Sequence, residues 1–213
     1  MRRLIWWLAA VIVLGLIGAA AAADKTHENH FASIRVDGKK IGQVHYTVTY
    51  DAEGEVESLK TNASYSVLGF EVYSFSDDLT ERWRSGELQA LDGYTNDDGD
   101  KYLASIQRKP DEFAATLNGK NLTLPPNAFP NSVWNYQITE QSLLFNVTDL
   151  RLMNVKVSKR DERIKVDGKS FDAERFDFTG DWRASLWFDQ DQQLLKLEYK
   201  IKGRDVVVAL DQT

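Results

Sequence analysis

Cysteine is absent from all 213 residues. That excludes disulfides, thiolate nucleophiles and Cys-ligated metal sites, and with them a lipid anchor on a cysteine at a leader's cleavage point. Histidine is scarce, at His27, His30 and His45 only, so proton-relay chemistry near neutral pH has few places to start. Neither a Gly-x-Ser-x-Gly elbow nor a Ser-x-x-Lys motif occurs. Positive charge is the minority, with 26 Lys and Arg against 32 Asp and Glu. The net charge of −6 repels phosphate backbones, so nucleic acid is excluded as an expected partner, and anionic lipid surfaces are disfavoured. Proline is limited to four residues, three of them between Leu124 and Pro130.

Long apolar runs are also missing, save one at the start. Arg2 and Arg3 precede an apolar stretch from Leu4 to Ile17, followed by small residues from Ala19 to Ala23. That stretch is shorter than the about 20 residues a bilayer span needs, and its layout is that of a secretory signal peptide. Cleavage near Ala23 leaves 190 residues, residues 24–213, with net charge −8 and no second apolar span. The expected product is a single domain in the periplasm or outside the cell, with no transmembrane segment and no cofactor. Twin-arginine export lacks the rest of its motif, and sequons at Asn62, Asn121 and Asn146 matter only in a eukaryotic pathway.

What is present is period-two alternation. Val44, Tyr46, Val48 and Tyr50 fall on one strand face, with Gln43, His45, Thr47 and Thr49 on the other. The pattern returns at Tyr102–Ile106, Phe113–Leu117, Met153–Val157, Trp182–Phe188, Leu195–Ile201 and Val206–Leu210. Turn dipeptides separate such runs: Asp37-Gly38, Ser85-Gly86, Asp92-Gly93, Asp98-Gly99, Asn118-Gly119, Asp167-Gly168 and Lys202-Gly203. Ten to twelve strands in meander order are predicted, all-β and mainly antiparallel. Asp24–His30 reads as a polar lead-in. The proline-rich stretch 124–130 interrupts the ladder, and Asn131 or Ser132 is placed to cap a short covering helix running to about Leu144. Ile34–Lys39 is echoed by Ile164–Lys169, two hairpins with the same turn chemistry.

Several short motifs resemble a family of uncharacterised bacterial periplasmic proteins, the domains of unknown function of the thirty-one-oh-eight type. They are Val36-Asp-Gly-Lys-Lys-Ile-Gly42, Glu81-Arg-Trp83 followed by Gly86-Glu-Leu88, Trp134-Asn135 before Leu143-Leu144, Leu186-Trp187-Phe188-Asp189, and Leu194-Leu195-Lys196-Leu197 with the Gly203 turn. The resemblance implies a strongly curved single sheet or half-barrel of hairpins around a short helix, similar to periplasmic lipoprotein carriers. It implies no catalytic or ligand-binding residues, since the family has no assigned activity.

Candidate chemistry is therefore weighed residue by residue. His45 falls on the polar face of a strand, where a solvent-facing role outweighs catalysis. Asp24, His27, Glu28 and His30 could hold copper or zinc, but ligands on a tail lack orienting partners. Asn96-Asp97-Asp98-Gly99-Asp100 has the acidity of a calcium loop without its ligand spacing. Glu81 beside Trp83 pairs an acid with an aromatic platform, as a carbohydrate site would. After the leader the chain carries four tryptophans (Trp83, Trp134, Trp182, Trp187), eight tyrosines and ten phenylalanines. The preferred expectation is a non-enzyme, with no catalytic residues and no metal, that binds or shields an apolar, lipid-like ligand inside a curved sheet. The alternatives are an envelope protein that recruits a partner protein at a sheet edge, and a carbohydrate-binding or carbohydrate-active protein.

Overall fold

The structure is a computed structural model and describes residues 27–52, 54–201 and 203–211. The leader and Asp24 lie outside the described residues. Among the described residues fifteen strands form one sheet, and its first and last strands in chain order pair in the middle. β1 (His27–Val36) pairs with β15 (Arg204–Leu210), with Ala32 opposite Leu210 and Ile34 opposite Val208. From β1 one wing runs outward by hairpins. It comprises β2 (Lys39–Asp51), β3 (Gly54–Val67), β4 (Phe70–Arg84), β5 (Glu87–Asp97), β6 (Asp100–Arg108), β7 (Phe113–Leu117) and β8 (Lys120–Leu124). The other wing runs outward from β15 through β14 (Leu194–Ile201), β13 (Ala184–Phe188), β12 (Lys169–Gly180) and β11 (Leu152–Val166). It ends at β10 (Leu143–Phe145) and the two-residue β9 (Phe129–Pro130). Every pairing is antiparallel except β9 with β10. The fold is the expected all-β, mainly antiparallel single sheet.

Bulges bend this sheet, as an extra residue in one strand increases local twist. They fall at Ile34/Arg35, Tyr65/Ser66, Arg82/Trp83 and Trp187/Phe188. The segment 125–151 crosses from the β8 edge to the β11 edge and fills the concave side. Its adjacent residues Leu144 and Phe145, both fully buried, belong to different core clusters. Leu144 packs with Phe176, Phe178, Leu186, Phe188 and Val208, whereas Phe145 packs with Phe113, Leu91, Ile106 and Leu124. Alternation along a two-sided strand thus joins two cores.

Four sequence expectations are corrected. The lead-in is shorter than read, because His27–His30 already pair with Tyr46–Thr49 of β2. No helix spans Asn131 to Leu144. Asn131 Oδ1 accepts from Val147 N at 3.0 Å, and only a 3-10 turn, η1 (Tyr136–Glu140), forms, capped by Asn135. Asp92-Gly93 lies inside β5 rather than at a turn. A Cβ on Gly93 would sit 3.1 Å from Leu79 Cδ1, so glycine there serves packing. Fifteen strands replace the ten to twelve expected, since β3 and β4 are long but rich in Ser, Thr, Asp and Glu, and β8, β9 and β10 are too short for alternation to register. The repeated Val-Asp-Gly-Lys segments do build matching turns. Asp37 and Asp167 adopt φ of 49° and 48°, and the glycine after each adopts 82°.

Candidate functional site

Two places on the first wing stand out, and register creates both. On the concave face, cross-strand pairing aligns Val48, Glu57, Glu81 and Leu91 in one row across β2 to β5. Tyr46, Leu59 and Leu79 form the next row. Glu57 and Glu81 therefore face the interior side by side, only 4% and 2% exposed. Glu81 accepts hydrogen bonds from Trp83 Nε1 at 3.0 Å and from the hydroxyl of Ser132 on the crossing segment. The Tyr46 hydroxyl and the Glu57 carboxyl share a hydrogen bond, and Glu57 in turn bonds Glu55. Trp134 stacks on Tyr46 at 4.9 Å, and Phe129 leans on Trp83 at 5.2 Å.

None of these partners supplies positive charge, so ionisation inside the sheet is costly. Burial, then repulsion from Glu81 and Glu55, pushes Glu57 well above the usual carboxylate range. Burial lifts Glu81 to about 7 despite the Ser132 and Trp83 hydrogen bonds, which favour the charged form. Asp77, which accepts from Thr95 Oγ1 at 2.8 Å, is raised by burial to about 6. Two neighbouring acids that hold protons into the neutral range could in principle serve as general acid and base. The space beside them, between Tyr46, Leu79, Glu81, Ser132, Trp134 and Val147, is only about 60 Å³. That is room for one or two waters, not for a sugar ring. Glu81 and Trp83 do share a face as the sequence suggested, but as a sealed latch between sheet and crossing segment.

The larger opening lies towards the turn end of the same wing. A groove of about 450 Å³ is lined by the residues Ile41, Asn62, Ala63, Ser64, Ser74, Phe75, Ser76 and Asn96. Its volume falls within the roughly 300–1,000 Å³ of small-molecule sites. Gly42 shapes it, because a Cβ there would approach Ala63 Cβ to 2.6 Å and force β2 away from β3. Sequence reasoning found neither Glu57 nor this groove. Both arise where β3 and β4 lack apolar alternation, and only the pairing register brings their residues together.

The remaining candidates sit apart. His45 is on the outer face, stacked on Phe31 at 4.5 Å and hydrogen-bonded to Asn29 Oδ1 at 2.5 Å. His30 contacts Glu28 at 3.4 Å and Gln193 at 3.1 Å. Among the described residues no group of three or more His, Asp or Glu is arranged to hold a metal ion. Asn96–Asp100 forms the β5–β6 turn, where Asn96 Oδ1 accepts from Gly99 N at 3.0 Å. Trp182 packs on Phe178 inside the second wing, while Trp187 is buried on the opposite face. Among the described residues no helix is long and apolar enough to cross a membrane.

Residues 33–211 match a family described as a domain of unknown function, DUF6134. No curated protein matches the chain in sequence. Among solved structures it is similar to a β-barrel-like protein of domain of unknown function DUF1849 from Brucella abortus. The two share 8% identity and a TM-score of 0.63, over 90% of this chain and 98% of that one. At that identity the likeness concerns the fold alone, an architecture that approaches a barrel.

Proposed function

The chain belongs to the DUF6134 family, and we propose that this member is an exported, non-catalytic protein that holds an apolar or amphiphilic ligand in the groove of its first wing. The groove carries this reading. Its lining mixes the apolar residues Ile41, Ala63 and Phe75 with Asn62, Ser74, Ser76 and Asn96, a composition that suits an amphiphile. The groove is favoured over the space beside the buried acids, where segment 125–151 leaves only about 60 Å³. The leader motif at residues 1–23 supports export to the periplasm. The sealing of Glu57 and Glu81 supports a non-enzyme, since a general acid must reach its substrate.

Native mass spectrometry of protein recovered from the periplasm tests this together with titration by a fluorescent fatty-acyl probe. The expected result is a co-purifying amphiphile mass and saturable probe uptake, which Ser76→Trp abolishes by filling the groove. Absence of any uptake, or uptake unaffected by Ser76→Trp, would refute the groove as the site.

A further inference from the structure

The β3–β4 hairpin runs past its neighbours. Pairing with β2 ends at Gly42 opposite Ala63, and pairing with β5 ends at Asp97 opposite Phe75. Beyond that, residues 65–73 pair only with each other, with Tyr65 opposite Tyr73 and Val67 opposite Phe70. The result is a free finger of about four residues per strand, roughly 13 Å at the strand rise. Its end is apolar and open. Leu68 is 93% exposed and Phe70 76%, with Val67 and Val72 also exposed. A soluble surface normally shows such residues singly, and a projecting cluster marks a contact site.

The chemistry of the finger is layered from tip to base. Leu68 and Phe70 form the tip, and the Tyr65–Tyr73 pair lies a few residues behind. Cations flank that level on the β2 side. Lys39 Nζ reaches Ser66 O at 3.5 Å and lies 5.7 Å from the Tyr65 ring, while the Arg204 guanidinium lies 5.3 Å from the same ring. Lys40, the next residue on β2 and exposed, adds a further charge at this end of the strand. Apolar end, tyrosine belt and basic collar is the order of layers that a bilayer surface presents in reverse: acyl chains, interface and anionic head groups. The acids nearby do not break this order. Glu71 is held by the Ser64 hydroxyl at 2.5 Å, and Asp37 pairs with Arg204 at 2.7 Å. Asp97 and Asp98 bond Tyr73 and Ser74 at the finger's root, not at its tip.

We propose that the β3–β4 finger docks on an anionic lipid bilayer, burying Leu68 and Phe70 among the acyl chains while Lys39, Lys40 and Arg204 meet the head groups. A fluid acyl layer fits a narrow hairpin end exposed on all sides, which has no flat or concave surface for a folded protein. The surface expectation drawn from net charge alone is set aside locally, because exposed Lys39 and Lys40 have no ion-pair partner among the described residues, while Arg204 is taken up by Asp37. The depth required, about 5–10 Å, is that of interfacial anchors and is within the finger's length.

The chain from Asp24 onward, which carries all fifteen strands, is to be floated with phosphatidylglycerol–phosphatidylcholine vesicles and with pure phosphatidylcholine vesicles. Binding to the anionic vesicles should weaken with salt and be clearly lower on the neutral ones. The double variant Leu68→Asp/Phe70→Asp should lose about tenfold or more in partitioning, as buried apolar area sets interfacial affinity. Leu103→Asp, an exposed leucine on β6 away from the finger, should bind as the parent does. Equal binding to neutral vesicles, no vesicle binding at all, or an undiminished double variant would each overturn the proposal. Acyl-probe uptake in detergent-free solution reads the groove separately, so the two readings fail independently.

Discussion

The two wings treat their charges in opposite ways. On the first wing, Glu57, Glu81 and Asp77 point inwards and are held by hydroxyls, an indole and one another. On the second wing, Arg160, Glu162, Arg175 and Asp177 form a network on the outer face, with Arg175 bridging Glu162 at 3.2 Å and Asp177 at 2.8 Å. Trp187 is buried beneath that network, with the Arg175 guanidinium over its ring at 4.6 Å and Lys196 Nζ at 3.8 Å. The concave side of this wing has an apolar centre of Phe176, Phe178, Leu186 and Phe188, and its charged pair Lys159–Glu174 is bonded to Tyr136 of the crossing segment. The consequence for titration is direct. Burial in the first wing raises carboxyls, whereas on the second wing hydrogen bonds from Ser185 and Arg175 outweigh the effect of burial and hold Asp177 below its usual value. One sheet thus carries an acid-tolerant half and an acid-sensitive surface network.

The largest effect should come from cutting the element that joins the wings. Phe145→Ala removes a fully buried ring packed edge-on against Phe113 at 6.2 Å, and should cost about 3–5 kcal/mol in denaturant unfolding. Leu144→Ala, one residue away, should cost about 2–5 kcal/mol through the other core. If one substitution proved nearly silent, the segment would be anchored to one wing only.

Next in size is the pH dependence of the buried acids. Glu81 is raised from 4.5 to about 7 on folding, so the folded state keeps its proton while the unfolded chain has lost it. Stability from this group is complete below about pH 4.5 and declines as pH rises towards 7, by up to roughly 3 kcal/mol. Glu81→Gln, which preserves shape without the charge, should flatten that slope and be at least as stable as the parent at pH 7.5. Unfolding curves across pH 4–8 read this, and an unchanged slope would show that Glu81 is not the group responsible. Asp177 gives the opposite sign: its contribution is present above the usual carboxylate range and is lost on acidification.

The smallest effect is expected from a pair exposed on both sides. Lys60 and Asp78 meet at 3.1 Å with each side chain more than half exposed. Lys60→Ala should change stability by less than about 0.5 kcal/mol, whereas Arg175→Ala, half-buried and stacked on Trp187, should cost about 1–2 kcal/mol. A double-mutant cycle across Arg175 and Asp177 would separate their coupling from the lost stacking.

The local chemistry of the chain was sufficient for the element type. Alternation such as Val44–Tyr50 and Met153–Val157 marks strands with one buried face, and the Asp-Gly and Asn-Gly turns set where they reverse, because both signals act within a few residues. Leu144 and Phe145 carried no such signal, being apolar neighbours equally suited to a helix or a strand. Tertiary structure alone decided that β1 lies against β15, that segment 125–151 turns inward, and that Glu57 and Glu81 meet. Those contacts join residues far apart along the chain, and pairing register, which a one-residue slip would invert, chooses which polar side chains are buried and which meet water.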